Sequence, residues 1–352
     1  MEGNEAVGVL RGGPALGGFS KEKLVELLRE MLLYRRFEEK AEEAYAIGKI
    51  GGFCHLHIGQ EAAAAGCILP LRKDDYVIGS YREHTQALAK GLSPEAVMSE
   101  LFGKASGTSS GMGGSMHMFG ADVGFMGGHG IVGAQTPLAL GIAWAIRYRG
   151  GDQVCVCFLG DAAVNQGAFH ESMNMAAIWD LPVIYVVENN GYGMGTSFSR
   201  VSDTEMVKKS AAHGVPATVV DGQDVMATYA HFSTLVETVR GGGGPHFVDV
   251  ECYRFKGHSM SDPVSGTYRS REEVDDRTRN ADPIRILSDR MFVAEMLTDE
   301  EFHAIDDEVR SIVDAAVDFA DSAPEPETDE LYEHVYSEIN PHGRLFFDGR
   351  GK

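Results

Sequence analysis

Two apolar runs constrain this chain more than any other feature. VCVCFLG (154–160) and VIYVVEN (183–189) carry almost no polar residue before their last positions. A strand with one wet face alternates apolar and polar residues, whereas a run that is apolar throughout has both faces covered. Between the two lies AFHESMNMAAIW (168–179), which reads as a helix. Strand, helix and strand in that order predict parallel neighbours joined by a right-handed crossover. The alternation continues on both sides. Thr136-Pro137 opens an apolar helix (PLALGIAWAIRY), and ATVVDG, a helix from Asp224 to Arg240, and HFVDVECY follow the second run. The expected fold class is α/β, a parallel sheet with helices on both faces. Ligands of such sheets bind at the rim formed by the strands' carboxyl ends.

The rest of the chain frames that core. Residues 1–19 are glycine-rich and expected to be flexible. A helix starts at Ser20 and runs to about Ile47, with Leu24, Leu27, Leu28, Met31 and Tyr34 on one face. Ser93-Pro94 opens another, with serine as cap and proline in the first turn. Thr298-Asp299-Glu300-Glu301 is a capping box for a helix carrying Phe302, Ile305, Val309, Ile312, Val313 and Ala316. The folded domain is expected over 20–323, and PEPE (324–327) begins a tail, 324–352. Residues 254–282 are polar and read as a long surface loop. Residues 103–133 contain eleven glycines in 31 positions, yet also Met112, Met116, His117, Met118, Phe119, Phe125 and Met126. A linker rarely carries such anchors, so this segment is expected to fold against a ligand or a subunit.

Composition excludes some functions. With 52 acidic and 31 basic side chains the formal charge is −21, which repels nucleic acid. A small anion could bind only at a locally positive place or through a bridging cation. The five cysteines form no C-x-x-C pair; Cys155 and Cys157 alternate along a strand and should face the same way, which fits a reducing compartment. No apolar run approaches the ~18 residues of a membrane span, and the first residues match no signal or transit peptide. A soluble, cytoplasmic protein that binds no membrane is expected.

The chemistry is expected where the two central strands end. Gly160-Asp161 follows the first directly and Asn189-Asn190 the second, 29 residues apart. One strand–helix–strand unit therefore brings a carboxylate and a carboxamide to the same rim. With a backbone carbonyl they form an oxygen-only set suited to Mg²⁺, which leaves room for phosphate oxygens. Taken singly, Asp161 could merely cap a helix and Asn190 sit in a turn; as a pair, each ending a buried strand, they favour a metal–diphosphate site. No G-x-x-x-x-G-K-[ST] loop is present, and the one G-x-G-x-x-G, Gly128 to Gly133, follows no run that reads as a strand.

GDAAVNQGAFHESMNMAAIWDLPVIYVVENNGYGMGT resembles the thiamin diphosphate motif. With GGFCHLHIGQEA (51–62), GSYREH (79–84), GMGGSMHMF (111–119), GGHGIVGAQ (127–135) and GHSMSDP (257–263), the chain resembles the alpha subunits of the decarboxylating component of 2-oxo acid dehydrogenase complexes, the pyruvate type above all. The resemblance implies a thiamin diphosphate-binding fold, with thiamin diphosphate and Mg²⁺ as cofactors. Asp161 and Asn190 would ligate magnesium by side chain and Tyr192 by its carbonyl. Tyr81, Arg82 and His258 would contact the diphosphate, Gly130 and Val132 would line the pyrimidine side, and Ala162 and Ala163 would approach by backbone. His258, His84, Tyr268 and Arg269 are the candidate catalytic residues, the last two on a segment that in the family closes over the cofactor; His55 and His129 are weaker candidates. The family usually reads GDG where this chain reads GDA, so Ala162 needs a negative φ. Ser259 and Ser265 resemble phosphorylation positions of mitochondrial members. The implied partners are a beta subunit, in a two-alpha, two-beta heterotetramer that completes the site, and a lipoyl-bearing acyltransferase; the implied substrate is a small 2-oxo acid. Acetoin or branched-chain 2-oxo acid dehydrogenase alpha subunits and a non-catalytic scaffold are the alternatives, and transketolase is a more distant one.

Overall fold

The computed structural model describes residues 8–10 and 16–332. Strands form at β1 (Gly8–Leu10), β2 (Tyr76–Ser80), β3 (Phe125–His129), β4 (Cys155–Gly160), β5 (Val183–Asn189), β6 (Tyr192–Gly193), β7 (Thr196–Ser197), β8 (Ala217–Asp221) and β9 (His246–Glu251). Seven make one sheet in the order β1-β8-β9-β5-β4-β2-β3. Every neighbouring pair in it is parallel. β6 and β7 form a small antiparallel hairpin.

Both faces are covered, as the apolar runs require. Along β4, Val156 and Phe158 enter one apolar cluster, and Cys155, Cys157 and Leu159 enter the other. The two thiols therefore face the same way. The first cluster is closed by α1 (Lys21–Ala46), α2 (Glu61–Ile68), α3 (His84–Lys90) and α4 (Pro94–Leu101), and the second by α5 (Gln135–Arg149), α6 (Gly167–Ile178) and α7 (Met206–Ala211). Further along the chain α8 (Val225–Arg240), α10 (Pro283–Val293) and α11 (Asp299–Ser322) join the first cluster, while α9 (Arg271–Asn280) sits at the rim.

Local chemistry sets the helix starts. Ser20 and Ser93 accept from the backbone N–H groups of Lys23 and Ala96. Thr298 and Glu301 make the reciprocal pair of bonds of a capping box, 2.9 and 3.1 Å. The five residues predicted to share a face of α1 are all buried. Among the described residues, no helix is long and apolar enough to cross a membrane.

Several expectations need correction. The segment 103–133 is not all loop: Phe125–His129 is the edge strand β3, and β2, to which it pairs, also escaped the sequence reading. FMGGH and YVIGS are short and glycine-interrupted, so pairing rather than intrinsic preference makes them strands. The segment 254–282 is not a surface loop. Arg254 and Arg269 are 2% and 3% exposed, and α9 lies inside the span. Its cohesion is polar: Arg269 donates to the carbonyls of Arg254, Lys256 and Val264 at 2.6, 2.7 and 3.0 Å and lies over the rings of Tyr192, Tyr253 and Tyr268. Of the N-terminal segment expected to be flexible, Gly8–Leu10 pairs with β8. Its other residues before Leu16, and the tail from 333 on, lie outside the described residues.

Candidate active site

Four adjacent strands, β9-β5-β4-β2, point their carboxyl ends at one rim. Beyond β4 comes Asp161, beyond β5 Asn190, beyond β2 Tyr81 and Arg82, and three residues beyond β9 Arg254. These side chains surround a cavity of about 260 Å³, lined also by Gln60, Val132, Ala162, Ala163, Glu188, Tyr192 and His258. The pair on which the sequence reading rested is thus brought together.

The cavity's electrostatics are unusual. Asp161 is buried, and its Oδ2 has no hydrogen-bond partner. Burial pushes its carboxyl up to about 6, because desolvation disfavours the charged form. Opposite charge is present but not paired: Arg82 and Arg254 are both buried, and no carboxylate forms an ion pair with either among the described residues. Arg82 donates to the carbonyls of Leu56 and His258 at 2.6 and 2.7 Å. Arg254 donates to the Lys256 carbonyl and the Tyr268 hydroxyl, both at 3.1 Å. Burial and the neighbouring Arg82 charge push Arg254 down to about 10. Two desolvated guanidiniums sharing a cavity fit an anion with several oxygens.

His258 lies edge-on to His55 and Tyr81, with ring centroids 5.1 and 5.7 Å away. Burial, then the Arg82 and Arg254 charges, lower His258 to about 4, and burial above all lowers His55 to about 2. Both imidazoles are neutral at pH 7, and the Nδ1 atoms of both lack partners. His258 can therefore offer a neutral hydrogen bond to the cavity.

The other candidates are spread around this centre. His84 does not line the cavity; its Nδ1 meets Glu38 Oε2 at 2.9 Å and its Nε2 meets Ser115 Oγ at 2.8 Å. Tyr268 donates to Asp262 Oδ2 at 2.6 Å, and Arg269 holds the Arg254, Lys256 and Val264 carbonyls. Gly130 is not a lining residue, whereas Val132 is. His129 meets the Gly79 carbonyl at 3.2 Å. Ala162 is not among the non-glycine residues of positive φ in the described part of the chain, so alanine meets no backbone penalty there. A Cβ on Gly193 would come within 2.5 Å of Ala162 Cβ, so the methyl group makes glycine necessary across from it.

Among the lining residues not singled out from sequence are Gln60, Glu188 and Arg254. Glu188 accepts from Gln86 Nε2 at 3.0 Å and meets His57 Nε2 at 2.7 Å. A basic residue just beyond HFVDVECY, at the same rim as Asp161, was the available signal for Arg254.

Comparison with known proteins then places the chain. The family model "Dehydrogenase E1 component" matches residues 29–329. The chain belongs to the dehydrogenase E1 component family. The pyruvate dehydrogenase E1 component subunit alpha of Rhizobium meliloti is 50% identical over 324 residues, 92% of each chain. The protein of the same name from Zymomonas mobilis is 47% identical over 317 residues, 90% of this chain and 89% of its own. The human testis-specific mitochondrial form is 42% identical over 326 residues, 93% of this chain and 83% of its own. E1 membership agrees with the parallel sheet and its rim cavity.

Replacing Arg254 in this E1 chain by methionine keeps most of the volume and removes the charge. A charge-assisted hydrogen bond contributes about 1.5–3 kcal/mol, so affinity for a diphosphate ligand should fall about 10- to 100-fold. Calorimetric titration with thiamin diphosphate checks this; unchanged affinity would remove Arg254 from the site.

Proposed function

We propose that this chain is the alpha subunit of a pyruvate dehydrogenase that uses thiamin diphosphate and Mg²⁺. The reading is carried by one observation: an unpartnered buried carboxylate oxygen and two unpaired buried arginines share a cavity at four strand ends. Asp161 and Asn190 would hold the cation with the Tyr192 carbonyl, an oxygen-only set suited to Mg²⁺. The family is thiamin diphosphate-dependent, and these residues fit the group: the cation answers Asp161, and the diphosphate answers Arg82 and Arg254. When bound, thiamin diphosphate supplies a nucleophilic carbon and an electron sink for loss of carbon dioxide from a 2-oxo acid.

The chain's own residues bind and orient. Arg82 and Arg254 neutralise phosphate oxygens in a water-poor cavity, where such contacts are strong. Neutral His258 donates a hydrogen bond and Tyr81 packs beside it. Ala162, Ala163 and Val132 give the cavity its shape, with Gly130 just outside it. Tyr268 and Arg269 brace Arg254 from behind, and His84 orders Ser115 under His55. The acetyl group passes to a lipoyl group of a partner acyltransferase. We read residues 20–323 as the catalytic domain, between the 1–19 segment and the 324–352 tail, and place the protein in the cytoplasm, where its five free thiols, four of them buried, stay reduced.

The site is half of a whole. Ile131 and Tyr148 are each 77% exposed, and Pro137, Gly141, Trp144 and Tyr148 lie along one uncovered face of α5, with Trp144 stacked on Tyr148. An apolar face of this kind next to a cavity marks a protein interface, and we assign it to a beta subunit in a two-alpha, two-beta heterotetramer. The test is 2-oxo acid-dependent reduction of an artificial acceptor by the chain alone and with a co-expressed beta partner. The lone chain should be inactive and the pair active on pyruvate; full activity of the lone chain would contradict the shared site. A panel of 2-oxo acids and acetoin on the pair identifies the substrate.

A further inference from the structure

Gln60 is fully buried, lines the cavity beside Asn190, and carries one amide atom without a partner. The identity of that atom follows from a chain of donors. The Tyr192 backbone N–H can only donate, so the Asn190 atom facing it at 3.3 Å is Oδ1. The other Asn190 amide atom is then Nδ2, a donor, and Gln60 meets it at 2.9 Å with Oε1. What remains on Gln60 is its Nε2 amide group, buried and unsatisfied. An orphaned buried donor costs about 1–3 kcal/mol and calls for an explanation.

The surrounding turn holds Gln60 rigidly. Its backbone N–H donates to the His57 carbonyl at 3.0 Å. The next residue, Glu61, accepts from Arg35 Nε at 2.5 Å and from the Gly59 N–H at 3.1 Å. Gly59 has φ +98°, and a Cβ there would come within 2.5 Å of the Tyr253 carbonyl oxygen. The turn is therefore pressed against the residue before Arg254 and cannot swing away to satisfy Nε2 elsewhere.

We infer that Gln60 is a positioning residue for the cation and a donor to the anion beside it. Its Oε1 holds the Asn190 amide with the oxygen as the atom left for a cation, and its Nε2 donates to an anionic oxygen of the bound diphosphate. This rests on the reading of Asp161 and Asn190 as cation ligands. Outer residues of this kind shift metal affinity about 10- to 100-fold when replaced.

The test uses the chain assembled with its beta partner and measures, by calorimetry, the magnesium concentration that half-saturates thiamin diphosphate binding. Gln60→Met, close in shape but without polar amide atoms, should raise that concentration about 10- to 100-fold. Gln60→Glu keeps an oxygen facing Asn190 and loses the N–H; it should recover most of the magnesium dependence yet bind thiamin diphosphate more weakly than the wild type. A half-saturation point unchanged in Gln60→Met, or a glutamate variant no better than methionine, overturns the inference. If Gln60→Met does not assemble, the glutamate variant decides: near-normal magnesium dependence with weakened cofactor binding supports it, and any other pattern overturns it. Asp161→Asn separates the two levels. If it too leaves magnesium dependence unchanged, the cation site itself is misassigned; if it alone abolishes binding, only the role of Gln60 fails.

Discussion

Asp161→Ala is expected to abolish magnesium-dependent binding of thiamin diphosphate while leaving the chain folded, and somewhat more stable without its cofactor. The first half follows from position: Asp161 supplies the only carboxylate among the proposed ligands, at the end of the strand beside Asn190. Without it a hard cation keeps a neutral amide and a carbonyl, and affinity should fall by roughly three orders of magnitude, about 4 kcal/mol at 1.4 kcal/mol per tenfold. The second half follows from burial. The carboxyl is raised to about 6 from 3.8, so the folded state holds this proton more tightly than the unfolded chain. At pH 7 the group is ionised in both states, and its desolvation subtracts about 2–3 kcal/mol from stability. The penalty fades as pH falls toward 4. Alanine removes it, so the cofactor-free melting temperature at pH 7 should rise by a few degrees. Calorimetry for binding and scanning calorimetry for melting check both. Retained affinity would show that the cation is held elsewhere; a large drop in melting temperature would show that Asp161 is structural.

Glu100→Ala is expected to have the largest effect on stability. The Glu100 carboxylate is fully buried and accepts four backbone N–H bonds, from Ser109 and Gly111 on Oε2 at 2.7 and 2.9 Å and from Gly113 and Gly114 on Oε1 at 2.7 and 2.9 Å. The glycine-rich segment is wrapped around this one side chain. A Cβ on Gly107 would lie 2.3 Å from Glu100 Oε2, so the wrapping demands glycine there. Alanine at 100 orphans four donors at once. The expected loss is about 3–5 kcal/mol, as for other uncompensated buried partners, with segment 107–114 becoming the first site of proteolytic cleavage. Glu100→Gln should also destabilise, because one of its amide atoms would face donors with a donor. Denaturant midpoints and limited proteolysis measure this; a midpoint within 0.5 kcal/mol of wild type would contradict it.

What the sequence made legible follows from where burial is total. β4 and β5 are apolar at nearly every position because both faces are covered, and that pattern survives without context. Asp161 and Asn190 stood out because each breaks such a run at its end. The glycine-rich segment could be recognised as folded from its methionines and phenylalanines, but not its template: a single Glu100 in an ordinary helix gives no sign that four backbone donors converge on it. β2 and β3 were missed because YVIGS and FMGGH borrow their extended form from each other. The 254–282 segment looked like a surface loop because its core is a guanidinium over three tyrosine rings, and hydropathy does not register that kind of burial. Gln60 and Arg254 were overlooked for a related reason. Each is an ordinary polar residue until the fold brings it into the cavity that Asn190 lines.

The central claim is that a divalent cation at Asp161 and Asn190 anchors a diphosphate in an otherwise negative molecule. Its most direct test is calorimetric titration of the chain, assembled with its beta partner, with thiamin diphosphate, once with Mg²⁺ and once with the metal removed by EDTA. Saturable binding of one cofactor per alpha chain with Mg²⁺, and at least a hundredfold weaker binding in EDTA, is the predicted result. Equal affinity in the two titrations would contradict it.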